Sequence, residues 1–565
     1  MYILGTNCSS HDTSAALIKD GKVLFAVEEE RLNGEKHTRQ FPVNAIKACL
    51  DFAGITIDDI DVIALPFVYT DLVQKRYLNY WAQNYPATKE RMLAEMNTVK
   101  DLSDVENKIR ETFNFKREIY FCRHQIAHMA SAYYISGFSS SALFSIDGVG
   151  EIESSMIGEA HRNKIKTFDQ YSTDWPHSIG GLYTALTDYL GFLPHCDEGK
   201  VMGLAPYGKV ATYKKVFDNI VKLKKGGQFE FDLTYLEYPF KRHSHVSQKF
   251  IKLCGPAREP RAEITQRHRD IAAAIQYITE KTMLHIANHL YKITKNKNLC
   301  LAGGVALNCV ANGKILKQTP FENIFVQPAA NDAGSPVGAA LYYYYLKKPN
   351  AKRYKLEHSY LGHGYSDREV GTVLNERRTK FTKVENAARQ TARYLADGKI
   401  IAWFNGRMEF GPRALGNRSI LTAPFPANMK DILNTRVKKR ESFRPFAPIV
   451  LKEYCDKYFD EKHESPYMLL TYNVRKKRIK EVPAITHVDG TARVQTLERK
   501  QNPDLYHLIS EFKRITGIPV ILNTSFNVMG QPIICSPEQA IDCFLSTDID
   551  FLILNNKYII DKKHK

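Results

Sequence analysis

The chain has 565 residues, of which 44% are hydrophobic and 25% charged, and its formal net charge is +18. This is the composition of a soluble globular protein too long for one ordinary core, so two or three domains are expected, and no apolar run approaches the length of a membrane span. The ten cysteines are scattered without a CxxC pair, which points to reduced thiols in a cytoplasmic protein. The basic charge lies mostly in dispersed lysines, such as Lys222-Leu-Lys-Lys and the run 475–480, and no zinc-finger or RNP motif accompanies it. The reading favoured is a solvated surface that attracts small phosphorylated substrates, with no nucleic-acid partner.

The chain opens on Met-Tyr-Ile-Leu-Gly-Thr, which predicts a core strand at once rather than a signal segment. A polar turn containing His11-Asp12 follows, then a strand, the hairpin signal Asp20-Gly21, and a third strand over 23–27. The same layout returns from Ala142: a strand ending at Asp147-Gly-Val-Gly, a strand around Ser155, and a tight turn at 161–164. A duplicated hairpin with a polar glycine turn, followed by helices, is the layout of actin-like ATPase folds, whose two turns hold nucleotide phosphates.

Between the two units lies Arg123-His-Gln-Ile-Ala-His128. On a helix, residues at i and i+4 share one face a turn apart, so His124 and His128 can grip one metal ion, with a strand-end carboxylate completing the set. An isolated pair of this spacing is more often an ordinary surface or core feature.

A long helix is predicted around 264–294, with Ile271, Ile275, Ile278 and Ile286 on one side. Strands follow at 298–302 and 324–327, the first running into Gly303-Gly-Val-Ala-Leu-Asn308 and the second into Asn331-Asp332-Ala-Gly334, before a helix over 336–345. Strands that end in small glycine-rich turns before helices are where α/β proteins bind phosphates. Gly303, Gly304 and Gly334 permit close approach to a nucleotide, and Asn308 can bond base or ribose. Gly180-Gly181 and Lys200 are weaker nucleotide candidates, and Asp489-Gly490 reads as a turn. A polar, proline-containing stretch from Lys347 places a domain boundary near 355, giving domains 1–354 and 355–565. The second half has strand signals at 400–404, 519–522 and 551–554.

The motifs together resemble the O-carbamoyltransferase family that includes nodulation and antibiotic-modifying carbamoyltransferases. Its carriers are His11-Asp-Thr-Ser-Ala-Ala-Leu, His124-Gln-Ile-Ala-His128, the stretch Glu198 to Gly208, Gly303 to Asn312, Gly406 to Ile420, Lys438 to Pro448, His487 to Gln495, and Asn523-Thr-Ser-Phe-Asn527. One departure is Leu361-Gly-His-Gly-Tyr-Ser, where proline is expected after the glycine.

The resemblance implies an α/β protein with two catalytic sites. The N-terminal domain would be actin-like (ASKHA), akin to tRNA threonylcarbamoyl transferases. The C-terminal domain would resemble threonylcarbamoyl-adenylate synthases (YrdC-like) and make carbamoyl-adenylate from carbamoyl phosphate and ATP, with Mg. The first domain would pass the carbamoyl group to an acceptor hydroxyl on a sugar, antibiotic, glycan or other natural product. By motif position, Arg413, Lys438, Arg444, Arg493 and Ser525 contact carbamoyl phosphate and adenylate, with Arg444 and Arg493 catalytic. Arg418 and Arg440 serve equally well as structural ion-pair partners. His11 is the base for the attacking hydroxyl, and Asp12 would orient it, although adjacent side chains seldom point the same way. The implied metal ligands are His124, His128, Asp147 and Asp332. Two imidazoles with carboxylates suit iron(II), and also zinc, manganese or nickel. The alternative is a tRNA-modifying relative that uses the basic charge to bind nucleic acid.

Overall fold

The computed structural model describes residues 1–8, 11–242 and 244–562. They form two compact units: residues 1–29 with 37–356, and residues 30–36 with 357–565.

The first unit is built on two sheets of one topology. In the first the strand order is Lys22–Glu28, Ser14–Lys19, Tyr2–Asn7, Val62–Leu65, Glu118–Phe121. The first two pairings are antiparallel and the next two parallel. In the second the order is Lys164–Thr167, Glu153–His161, Ser140–Ile146, Asn298–Ala302, Asn323–Val326, with the same sequence of directions. This repeated order and direction is the duplicated, actin-like α/β arrangement. The first hairpin closes at Asp20 (φ 48°) and Gly21 (φ 79°), the left-handed pair that a two-residue turn of this kind requires.

Each sheet is followed by a helix that packs on the other sheet. His124–Ser136 lies on the strands Ser140–Ile146 and Asn298–Ala302, while Ser335–Lys347 lies on Tyr2–Asn7 and Ser14–Lys19. The two helices also pack on each other, and both are apolar or small almost all round, as central buried helices must be. A Cβ at Gly338 would lie 1.8 Å from the carbonyl oxygen of Ala127, so their backbones meet where only glycine fits. The long helix is Gln266–Thr294, and Ile271, Ile275, Ile278 and Ile286 are all buried on it.

The second unit is an eight-stranded mixed sheet in the order Thr382–Lys383, Tyr558–Asp561, Phe551–Leu554, Ile401–Phe404, Arg418–Thr422, Val520–Ser525, Ala447–Leu451, Gln495–Leu497. Helices Ala388–Ala396 and Pro503–Thr516 pack against each other beside it. Residues 30–36 join this unit from the N-terminal half of the chain. Arg31 is buried and donates to the carbonyl of Gly411 at 3.0 Å, and Leu32 packs on Met408, Ala414, Ile533 and Cys535. Among the described residues no helix is long and apolar enough to cross a membrane.

Candidate functional site

Four buried side chains converge in the first unit. His124 and His128 occupy successive turns of helix His124–Ser136, Asp147 directly follows strand Ser140–Ile146, and Asp332 opens the turn Asp332–Gly334. The helix start is held by Glu151, whose carboxylate accepts the His124 backbone N–H at 3.0 and 3.1 Å and that of Val68 at 2.9 Å. His124 Nε2 is 3.1 Å from Asp147 Oδ2, 3.0 Å from His128 Nε2 and 3.5 Å from Asp332 Oδ1. His128 Nε2 is 3.5 Å from Asp147 Oδ2 and 3.6 Å from Asp332 Oδ1.

His124 Nδ1 lies 3.1 Å from the carbonyl oxygen of Pro66, so it carries the hydrogen and Nε2 presents a lone pair when the ring is neutral. Phe67 stacks on the same ring at 4.0 Å. Burial opposes charge on His124, but Asp332 and Asp147 outweigh it and raise its pKa to about 10. Burial likewise opposes charge on both carboxylates. The imidazoles nonetheless hold Asp147 and Asp332 below the usual carboxylate range. Two carboxylates and two Nε2 atoms facing inward demand positive charge between them. Ligands about 2.1 Å from a shared ion stand roughly 3–3.5 Å apart. The observed spacings match, and the mixed nitrogen–oxygen set fits a divalent ion.

His11 lies in the turn between Tyr2–Asn7 and Ser14–Lys19, the counterpart of the turn that carries Asp147 in the second sheet. Its Nδ1 is 2.9 Å from Asp12 Oδ2. Adjacent side chains converge here because Asp12 takes a left-handed backbone, φ 60°, which folds its carboxylate back toward the preceding ring. Burial disfavours the His11 cation. The bond and charge of Asp12, with the charges of Asp332 and Asp147, prevail and raise its pKa to about 9. His195 stands 5.3 Å away, ring centre to ring centre. Burial and the charges of His11, Arg39, His245 and Arg242 push the His195 pKa down to about 3.

Sequence reasoning missed His37, Asn331 and His195. His37 and Asn331 both bond Asp12, at 2.6 and 2.7 Å. No periodic signal marks His37. His195 lies three residues before Glu198, the first residue of the motif Glu198 to Gly208, whose carboxylate accepts its backbone N–H at 2.7 Å.

The nucleotide candidates have structural work of their own. Gly303 has φ 93°, and a Cβ there would lie 2.1 Å from the carbonyl oxygen of Ile146. The Gly304 N–H donates to Asp147 Oδ1 at 2.8 Å. A Cβ at Gly334 would meet the Ala329 carbonyl at 2.0 Å, and one at Gly180 the Asp147 carbonyl at 2.7 Å. Asn308 caps helix Cys309–Gln318 by accepting from Ala311 N–H at 3.1 Å, and its amide donates to Gln276 at 2.9 Å. Lys200 pairs with Asp197 at 2.9 Å.

In the second unit, Lys438 is buried and donates to the Ser525 carbonyl (2.8 Å) and Oγ (3.2 Å) and to the Asn527 carbonyl (2.8 Å) and Oδ1 (2.7 Å). It therefore ties down the loop that follows strand Val520–Ser525. Burial, with the charges of Arg440, Arg444 and Lys36, lowers its pKa. Burial, then Arg444 and Arg493, lowers that of Arg440. Lys36, Lys438, Arg440, Arg444 and Arg493 thus form one cationic cluster, with Glu441 3.9 Å from Arg444. Lys36 was another omission. Arg413 is half-buried beside Pro412.

Among the described residues Arg418 makes no ion pair but spans the backbone: it donates to the carbonyls of Asn405, Gly406, Asn417 and His363 and stacks on Phe404 at 3.6 Å. Glu409 organises the surrounding motif by accepting the N–H groups of Leu415, Asn417 and Arg418 at 2.7, 2.8 and 3.2 Å.

Fold and site define an α/β transferase with duplicated actin-like sheets, a buried His/Asp cluster able to hold a metal, and a separate cation-rich unit. Residues 2–341 match the family model for the carbamoyltransferase N-terminus, and residues 392–562 that for the carbamoyltransferase C-terminus. The chain belongs to the carbamoyltransferase family and is an enzyme of carbamoyl transfer. It is 39% identical to an uncharacterized protein of Synechocystis sp., over 98% of this chain and 96% of that one. It is 37% identical to nodulation protein NolNO of Sinorhizobium fredii, over 99% and 80%. With the 3'-hydroxymethylcephem-O-carbamoyltransferase of Streptomyces clavuligerus it shares 28% identity over 92% of each chain.

Proposed function

We propose that the protein is an ATP-dependent O-carbamoyltransferase that divides its reaction between the two units. In the second unit water cleaves carbamoyl phosphate to carbamate and inorganic phosphate. A carbamate oxygen then attacks the α-phosphorus of ATP, accompanied by Mg, and pyrophosphate leaves, giving carbamoyl-adenylate. The cluster of Arg444, Arg493 and Arg440 supports this half: phosphate oxygens gather charge in the displacement, and guanidinium donors stabilise it where it develops. Lys438 and Ser525 would shape the loop at its edge, and Arg413 would contact the same anions.

In the first unit the acceptor's oxygen attacks the carbamoyl carbon and AMP leaves. His11, once neutral, takes the hydroxyl proton at Nε2 while Asp12 holds Nδ1; an ion between Asp332 and Asp147 would offset the charges that help raise its pKa to about 9. His124, His128, Asp147 and Asp332 would hold a divalent ion, iron(II) first on the donor set, with zinc, manganese or nickel as alternatives; it would supply positive charge to an oxygen of the carbamoyl donor. Gly303, Gly304, Gly334 and Asn308 would line the nucleotide's approach. The acceptor is a hydroxyl of a sugar, antibiotic, glycan or other natural product, and the protein works in the cytoplasm.

The observation that supports this reading is the division of side chains: the His11 imidazole held by Asp12 with a His/Asp cluster in one unit, and a set of guanidinium groups in the other. ATP–pyrophosphate exchange dependent on carbamoyl phosphate tests it without an acceptor. Absence of such exchange in folded protein would remove the adenylate route. Retention of bulk tRNA on a filter at physiological salt would instead favour a nucleic-acid acceptor.

A further inference from the structure

Asp12 is the centre of an array that a lone His–Asp pair does not require. Its carboxylate is buried and has three partners: His11 Nδ1 at 2.9 Å, His37 Nδ1 at 2.6 Å, and the Asn331 amide at 2.7 Å. An ionised carboxylate only accepts, so both imidazoles present N–H at Nδ1. For neutral His11 this leaves the lone pair on Nε2. Asp12 (φ 60°) and His37 (φ 54°) both have left-handed backbones that non-glycine residues rarely adopt. Such strain persists where surrounding structure over-determines it, and here it falls on the two residues that meet at one carboxylate.

We propose that His37 and Asn331 clamp Asp12 so that it fixes the Nδ1–H tautomer of His11 and leaves Nε2 as the face offered to the acceptor hydroxyl. This rests on the reading of His11 as the base of transfer. His37, Asn331 and Asp12 are then positioning residues, acting through His11. Where a carboxylate orients a general-base imidazole, replacing it with the amide costs about 10⁴-fold through the wrong tautomer. Loss of one clamp should cost less, since Asp12 would keep two of its three partners.

The test reads the tautomer itself. Two-bond ¹H–¹⁵N correlation spectra of the full chain, labelled at histidine and carrying a diamagnetic ion, are recorded at a pH where the His11 ring is neutral. The His11 signals are assigned by their loss in His11→Asn. Expected are Nδ1–H in wild type, a shift toward Nε2–H in Asp12→Asn and His37→Ala, and restoration of Nδ1–H in His37→Asn, whose amide can donate from nearly the same place. Asn331→Ala provides a second clamp variant should His37→Ala fail to fold, with exchange of ATP and pyrophosphate as the folding check. A wild-type Nε2–H tautomer, or Nδ1–H unchanged in His37→Ala and Asn331→Ala, would overturn the inference. The readout needs no acceptor and no turnover. The base reading fails by a different result, carbamoyl transfer surviving in His11→Asn.

Discussion

The backbone N–H of Gly304 donates to Oδ1 of Asp147 at 2.8 Å, which leaves Oδ2 turned toward His124 Nε2, 3.1 Å away. One oxygen is anchored in the glycine turn and the other faces the two imidazoles. The cluster is thus preorganised by a turn that carries no ligand itself. His128→Ala removes one of four inward-facing atoms and should weaken metal binding by at least ~10–100-fold, the range set by even outer-shell partners. Elemental analysis of purified wild type and variant checks it; equal stoichiometric metal in both removes His128 from the set.

His11→Asn should leave carbamoyl-phosphate-dependent ATP–pyrophosphate exchange intact and lower carbamoyl transfer by about 10²–10⁴-fold, the usual worth of a general base. Asparagine can still donate to Asp12, so the turn keeps its main tie. A folded variant that loses exchange as well would show that His11 does not belong to transfer alone.

Arg444→Ala and Arg444→Lys should both lose adenylate formation, with lysine losing less because it keeps the charge but not the forked geometry. Arg493→Ala should behave like Arg444→Ala. All three should transfer from carbamoyl-adenylate supplied chemically, once a competent acceptor is known. Wild-type exchange rates in Arg444→Ala would remove that residue from the adenylate site.

The Asp12 array should leave a mark on stability against pH. Against the opposition of burial, Asp12 with the charges of Asp332 and Asp147 raises His11 from 6.5 to about 9, and Asp12 joined by Cys196 raises His37 from 6.5 to about 10. The folded state therefore binds these protons more tightly than the unfolded chain. Their contribution is complete below pH 6.5 and lost as pH rises through about 9 to 10. Asp12 itself is depressed by the two rings despite burial, so its contribution is present above its unfolded value near 3.8 and falls away below it. Melting temperatures from pH 4 to 10 should fall on the alkaline side in wild type and flatten there in Asp12→Asn. An unchanged alkaline slope in Asp12→Asn would count against the array.

Gly338→Ala should be among the costlier single-methyl insertions in the chain. The added carbon would lie 1.8 Å from the Ala127 carbonyl oxygen, one residue before His128 of the His/Asp cluster. Overpacking typically costs about 1–3 kcal/mol, and separating the two central helices would also move the histidines of that cluster. Denaturant unfolding together with metal content checks both effects. A variant with wild-type stability would mean that the helices have room to part.

The sequence by itself determined the strand and helix layout and the family that the motifs resemble. Periodicity and glycine turns are local properties, so the repeated strand–turn–strand layout, the strand at 298–302 and the buried isoleucine stripe of Gln266–Thr294 could be read from spacing. The pair His124/His128 was legible because a helix places i and i+4 together whatever surrounds it. Its carboxylate partners were named through family resemblance rather than through distance along the chain.

Only the tertiary structure decided which polar groups meet. Asp12 bonds Asn331 across 319 residues of chain and His37 across 25, and no composition or period encodes such a contact. It arises from the way two equivalent sheets bring their turns together. The same is true of residues 30–36, which read as part of the N-terminal domain yet place Leu32 in the core of the second unit and Lys36 in its cationic cluster. Arg418 shows the converse. Its motif looked ready to bind anions, but the buried guanidinium donates to the nearest backbone carbonyls while the Glu409 carboxylate takes the backbone N–H instead, and there it holds the loop.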